Sequence, residues 1–250
     1  LISWWSLDET SGNRADSHGS NTLTDINTVL YDTGKVGNAA KFEVANSEYL
    51  SHVDNPALSA GDIDITWGCW VNIESFATSR AIISKLYGTN SEYVLYYHTN
   101  NDELALTIFS TTNGTVYATT LGSPSTATWY FVLGWHDHTA NTINIQINNG
   151  TVDSVAHTYG IYDSNSDFSV GGWSGEDYYD MDGLVDEAFI YKRVLTADER
   201  TWLYNSGNGR GYSSVSGIPG IKTVNGVAMA DIKTINGVAV ADIKSIQGLT

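Results

Sequence analysis

The sequence predicts an all-β protein: two antiparallel sheets packed as a sandwich, with one short helix and a C-terminal tail of β repeats. Three observations carry this. Short runs of β-branched and aromatic residues alternate with Gly, Asn, Asp and Ser clusters along the first 215 residues. Many such runs follow one another with no βαβ spacing between them, which points to a two-sheet sandwich. Only 16% of residues are charged, so helices laced with Glu and Lys cannot dominate.

The elements follow in order. Residues 63–71 place Ile63, Ile65, Trp67, Cys69 and Val71 on one face of a strand. Residues 104–109 form another, followed by an Asn113-Gly114 turn into 115–119. The runs 129–135 and 142–148, then an Asn149-Gly150 turn into Thr151 and Val152, read as successive antiparallel strands. Residues 168–172 and 183–191 add two more. One helix is predicted. Thr196-Ala197-Asp198-Glu199 is a capping box, Trp202 and Leu203 supply an apolar side with Trp202 as the anchor, and Gly207 is a natural stop. It spans two to three turns.

Composition bounds the function. The 250 residues carry 12 basic and 28 acidic side chains, a net charge of −16, which argues against nucleic acid as a partner. The longest apolar runs are far short of a membrane span, so no membrane insertion is expected. A lone Cys69 excludes an intrachain disulfide and any Cys-based zinc site. The chain starts at Leu1 without an initiator Met, so it reads as processed or as a piece of something longer. An acidic, Lys-poor, nearly Cys-free surface suits an extracellular, cell-surface or virion-surface protein. The Asn-Gly-Thr sequons at Asn113 and Asn149 are equally Asn-Gly turn signals.

The charge is not evenly spread. Residues 1–215 hold 9 basic and 26 acidic side chains and every aromatic; residues 216–250 hold three Lys and two Asp. Residues 213–220 read as a linker. Beyond it, residues 221–231 are repeated at 232–242 with two differences, and a third copy starts at Ile243. Asn225-Gly226 and Asn236-Gly237 supply the turns, so each repeat reads as a nine-residue strand plus a two-residue turn. Ala228 and Ala239 would admit a second backbone at close range. Some thirty residues of this pattern cannot enclose a core, so residues 221–250 are expected to self-associate or to dock on a scaffold.

Several stretches of the first part resemble one family. Trp5-Ser6-Leu7-Asp8-Glu9-Thr10-Ser11-Gly12 with Asp16 and Gly19 looks like the opening of a laminin-G-like jelly roll of the concanavalin A-like superfamily. Residues 34–42 with Tyr49-Leu50 resemble its second strand, and Trp129-Tyr130-Phe131-Val132 a middle one. Its closing signature is matched by residues 168–173, 182–191, 193–196 and Glu199. The resemblance covers residues 1–212. It implies two facing antiparallel sheets with the first and last strands side by side, in mostly non-catalytic modules that bind glycans or proteins, often with one calcium ion.

It also implies roles for individual residues. An Asp on a late strand beside the N-terminal strand is a calcium ligand in related sandwiches, which assigns Asp186, with Asp8 brought near it by strand pairing. The alternative is that Asp186 accepts backbone amides and pins the termini. Asp186 and Glu187 are adjacent, so on a regular strand they point to opposite faces, and no Glu-x-Asp-x-x-Glu spacing supplies a hydrolytic pair. Asp163-x-Asn165-x-Asp167 copies part of a calcium loop but lacks its glycine, and His136-Asp137-His138 lacks a third metal ligand.

Flat aromatic faces beside hydroxyl-binding groups suit sugars. Trp70, Trp129 and Trp202 belong to the core by this reading. Trp135 alternates with Phe131 and Leu133 and is expected to line the concave sheet. Trp173, Tyr178, Tyr179 and Asp180 sit in an acidic edge loop, either as a binding surface or as a lid over the core. The expected function is non-catalytic recognition, with a glycan or cell-surface polymer as partner and an anchoring tail. The rivals are a structural subunit of a virion or filament, and a glycan-cleaving enzyme with an unconventional site.

Overall fold

The structure, a computed structural model, describes residues 1–87, 90–173 and 179–212, together with four two-residue strands in the tail. Fifteen strands make the body: β1 (Ser3–Trp5), β2 (Thr24–Ile26), β3 (Leu30–Thr33), β4 (Asn38–Phe42), β5 (Tyr49–His52), β6 (Ile65–Ile73), β7 (Arg80–Tyr87) and β8 (Asn90–His98). They continue as β9 (Glu103–Ile108), β10 (Gly114–Tyr117), β11 (Trp129–Asp137), β12 (Thr142–Ile147), β13 (Val152–Ala156), β14 (Phe168–Val170) and β15 (Gly183–Tyr191). A single α-helix, α1, spans Ala197–Tyr204.

The first sheet runs β13-β12-β11-β6-β15-β4-β3, with β1 also pairing to β15. The second runs β10-β9-β8-β7-β14-β5-β2. Every pairing is antiparallel, and β1 against β15 puts the N-terminal and last strands together as expected. Period-2 alternation builds the core between the sheets. Ile65, Trp67, Cys69, Val71 and Ile73 of β6 point into it, beside Val132 of β11 and Tyr93 and Leu95 of β8. Strand β6 starts at Ile65, which leaves Ile63 37% exposed.

The first sheet is apolar on its outer face too. Trp70, Phe131, Leu133, Trp135 and Phe189 form a second cluster there, joined by Leu195 and Leu203. Helix α1 covers it. Its capping box is complete, the Thr196 hydroxyl accepting from the Glu199 amide and the Glu199 carboxylate accepting from Thr196 N–H. The helix has two turns, and its stop is Asn205 in the left-handed region, ahead of Gly207. Leu203 is its buried anchor. Trp202 is partly buried and packs against the same cluster, with the Arg210 guanidinium 4.3 Å over its ring.

Ion pairs close one end of the sandwich. Lys85 and Glu92, neither exposed, meet at 2.7 Å, and Lys85 also reaches Asp54. Glu92 accepts the amides of Ala60 and Ser164, so two loops are fastened to β7 and β8. The segment 163–167 is thereby a tethered turn. The hairpin after β12 turns one residue earlier than predicted: Asn148 and Asn149 take the positive φ values, and Gly150 N–H closes onto Ile147.

In the tail, Thr223–Val224 pairs with Val227–Ala228, and Thr234–Ile235 with Val238–Ala239, each pair flanking one Asn-Gly dipeptide. The rest of each predicted nine-residue strand lies outside the described residues. Asn225, Gly226, Asn236 and Gly237 lie outside the described residues, as do residues 213–222. Among the described residues no helix is long and apolar enough to cross a membrane.

Candidate functional site

With α1 over the first sheet, the outer face of the second sheet carries a groove of about 780 Å³. Alternation on β8 builds its floor: Tyr93, Leu95 and Tyr97 point to the core, so Val94, Tyr96 and His98 point out. Thr107 of β9 and Phe109 continue the floor, and Trp173 with Tyr179 forms one wall. The volume is that of an ordinary small-molecule site.

Its chemistry is aromatic and hydroxylic. The Trp173 and Tyr179 rings stack at 5.3 Å, 17° from parallel, and Tyr179 remains 38% exposed. The Trp173 Nε1 is buried and has no hydrogen-bond partner among the described residues. Tyr96 shares a hydrogen bond of 3.2 Å with Thr107, which in turn meets Thr115 at 2.8 Å. Burial pushes the Tyr96 phenol up to about 12, so it keeps its proton. The Asn101 amide donates to His98 Nδ1 at 3.2 Å.

The expected binding residues divide. Trp173 and Tyr179 are in the groove; Tyr178 lies outside the described residues. Trp135 is not on an open concave face. It is 5% exposed, in the cluster beneath α1 with the Arg200 guanidinium 4.7 Å over its ring. A bulky apolar strand face demands a cover, and the helix supplies it. Asp180 is 1% exposed, and its carbonyl accepts from Arg80 at 2.9 Å, so its carboxyl faces inward rather than toward a ligand. Tyr96, His98, Phe109 and Thr107 were not singled out from sequence. The signal was there, an aromatic run at 91–98 between turn residues, but without polar alternation to mark it as a strand.

A second polar feature sits where β15 bulges. Glu187 has φ +49°, and the pairing of β15 with β6 shifts register between Asp186 and Phe189. Val185 faces the core before the bulge, Ala188 and Ile190 after it. The strict alternation expected of Asp186 and Glu187 is therefore broken, and both carboxyls come to the Lys35–Val36 turn. Asp186 Oδ2 accepts the amides of Lys35 (2.7 Å) and Val36 (2.8 Å). Glu187 takes the Trp4 indole N–H and lies against Gly211, itself beside Val36. Asp8, exposed, accepts the Asn38 amide at 2.8 Å. Asp186 Oδ1 is buried and has no hydrogen-bond partner among the described residues.

Burial, with smaller contributions from neighbouring carboxylates, pushes Asp186 up to about 7 and Glu187 up to about 9. Elsewhere, His136 Nδ1 meets the Ile63 carbonyl and His138 Nδ1 meets Asp62, so the two rings do not converge. Among the described residues no group of three or more His, Cys, Asp or Glu is placed to hold a metal ion.

The architecture is a two-sheet antiparallel jelly roll with its groove on the uncovered sheet. A laminin-G-type family model, described as the concanavalin A-like lectin/glucanases superfamily, matches residues 45–199, and the chain belongs to that family. No curated protein matches its sequence. Among solved structures it is similar to domain 4 of an extracellular arabinanase from Geobacillus stearothermophilus in complex with arabinotriose. The TM-score is 0.62 at 18% identity, over 84% of this chain and 98% of that one. It is also similar to the binding domain of Paraclostridial Mosquitocidal Protein 1 (TM-score 0.66, 14% identity, 83% of this chain). The botulinum neurotoxin serotype G binding domain is a third (TM-score 0.63, 14% identity, 86% of this chain). The chain spans about half of each toxin structure, 52% in both. At these identities the likeness is one of fold.

The buried carboxyls make stability depend on pH. Their folded-state values are raised, so their contribution is complete below the ordinary carboxylate range and is lost as pH rises toward 7 for Asp186 and 9 for Glu187. With chelator present, the melting midpoint should fall between about pH 5 and about pH 9. Glu187→Gln should flatten the upper part of that slope. A wild-type profile without a slope contradicts this reading.

Proposed function

We propose that the chain is a non-catalytic glycan-binding module whose site is the groove on the second sheet. The observation that carries this is the stacked Trp173–Tyr179 wall beside a floor of Tyr96, His98 and Thr107. Flat rings match the apolar faces of sugars, and hydroxyl and ring N–H groups match their hydroxyls. Likeness to a domain solved with arabinotriose and to two toxin binding domains supports the reading. The superfamily includes glucanases, but glycoside hydrolysis of the common type needs two carboxyls flanking one bond, and the sequence has no Glu-x-Asp-x-x-Glu spacing to supply them from one strand. A surface or secreted setting fits such a partner.

Two assignments accompany this proposal. The first is a calcium ion at Asp186 and Asp8. Its support is the buried Asp186 Oδ1, which has no hydrogen-bond partner among the described residues, and the burial of the Asp186 carboxyl, whose charge either a proton or a cation must offset. Asp186 would supply Oδ1 and Asp8 a second carboxylate, with backbone carbonyls and water completing the set. The second is anchoring or self-association through residues 221–250, motivated by the loss of charge and aromatics after residue 215. Display on a virion or cell surface belongs to the same proposal.

Each has its own test. Trp173→Ala should weaken glycan binding by at least about tenfold, read by calorimetry or array at a temperature where circular dichroism shows the variant still folded. Equal binding by wild type and variant overturns the groove assignment. Excess calcium over chelator should raise the melting midpoint near neutral pH; no shift argues against the ion. Removal of residues 217–250 should leave a folded sandwich of lower oligomeric mass by light scattering, and an unchanged mass sinks the role of the tail.

A further inference from the structure

The lining of the groove contains no Lys and no Arg among its described residues. The two cations on strands β7 to β9, Lys85 and Arg80, are both committed elsewhere. Lys85 of β7 is fully buried on the core side, held by Glu92, Asp54 and the Ser164 carbonyl. Arg80, 3% exposed, donates to the carbonyls of Ser75 and Asp180 and lies 4.0 Å from Asp182. Cations farther off are engaged as well: Arg200 with Gln146 and the Leu195 carbonyl, Arg193 with Glu199, and Lys35 over the Trp70 ring.

An acidic sugar therefore finds no charged partner here. Moving its carboxylate into a partly desolvated groove costs free energy that only a fixed cation or several converging donors offset. The polar side chains on the groove floor, Tyr96, His98 and Thr107, come from two strands, and the Tyr96 and Thr107 hydroxyls are already bonded to each other, so they do not form a converging set of donors for a carboxylate. The chain's net charge of −16 adds long-range repulsion against any polyanion.

The shape also selects. Lining residues on β8 run from Ser91 to His98, and at ~3.4 Å per residue this gives a trough of roughly 24 Å. That suits several linked rings lying along the strand better than one terminal sugar. From the charge and the length together we infer that the groove takes a neutral, extended glycan chain and excludes sialylated and uronic acid chains. This rests on the groove being the glycan site and adds the class of ligand.

The test is calorimetric titration of the full chain with linear neutral oligosaccharides of increasing length, arabino- and xylo-oligomers, against sialyllactose and oligogalacturonides. Neutral chains should bind with affinity rising with length and changing less than about twofold between low and high salt. Acidic chains should bind at least about tenfold more weakly. Tyr179→Ala, which removes an exposed ring, should lower neutral-chain affinity. Acidic chains binding as tightly as neutral ones, or affinity that drops with salt, would overturn the inference while leaving a glycan site intact. Binding of neither class overturns the glycan reading itself, and this inference with it.

Discussion

The first sheet is apolar on both faces, and the rest of the molecule is arranged around that constraint. Strand β15 lies in its middle with all nine residues buried, paired on both sides and covered above and below. The inner face is satisfied by the second sheet. The outer face carries Trp4, Trp70, Phe131, Trp135 and Phe189, with Trp4 stacked on Phe189 at 4.7 Å. Aromatic surface of that extent must leave water, and each such ring contributes on the order of 1.5–3 kcal/mol by doing so. Helix α1 and the Gly209–Tyr212 segment are its cover, with Tyr204 stacked on Trp70 and Tyr212 tilted against Trp4.

Once the helix is committed there, the second sheet's outer face is left uncovered by it, and the groove lies on that face. The strands that form the groove are held from behind. Lys85 and Glu92 point away from it into the end of the sandwich, where their charges are paired and their remaining hydrogen bonds fasten two loops. Such a pair adds little net stability over apolar packing of the same volume. What it does is fix the position of β7 against β8, so that the groove floor is set by the same hairpin whose back is buried. One strand pair thus carries both the fold and the site.

How much of this is legible in the sequence depends on whether neighbours in the chain decide the outcome. The capping box of α1 is local chemistry, and Thr196 and Glu199 do what their spacing requires. The long strands β6, β11 and β15 announce themselves by β-branched and aromatic runs between turn residues. Strand β8 does not, because Tyr93, Leu95 and Tyr97 fill one face while Val94, Tyr96 and His98 fill the other. Bulky residues on both faces erase the alternation that marks a half-buried strand. Trp135 shows the complementary failure: its outward direction is readable, but whether a helix lies over it is decided by a segment sixty residues later. The bulge at Glu187 is of the same kind. Only a partner strand reveals that one extra residue is present, and with it the meeting of Asp186 and Glu187 at one turn.

Charge ties these parts together. The body of the chain holds nine Lys and Arg against 26 carboxylates. Three of these nine cations serve as internal staples: Arg14 donates to the carbonyls of Val29 and Leu30, Arg80 to those of Ser75 and Asp180, and Lys85 to the buried Glu92 carboxylate. Each takes positive charge away from the surface while leaving most acidic groups on it. An exterior made this way repels polyanions at a distance and offers them no contact at close range. Discrimination against acidic ligands then needs no dedicated residue in the groove, because it follows from where the fold has used its cations. The aromatic wall and hydroxyl floor supply attraction that is indifferent to charge, and the two together favour a neutral polymer over an acidic one by exclusion as much as by fit.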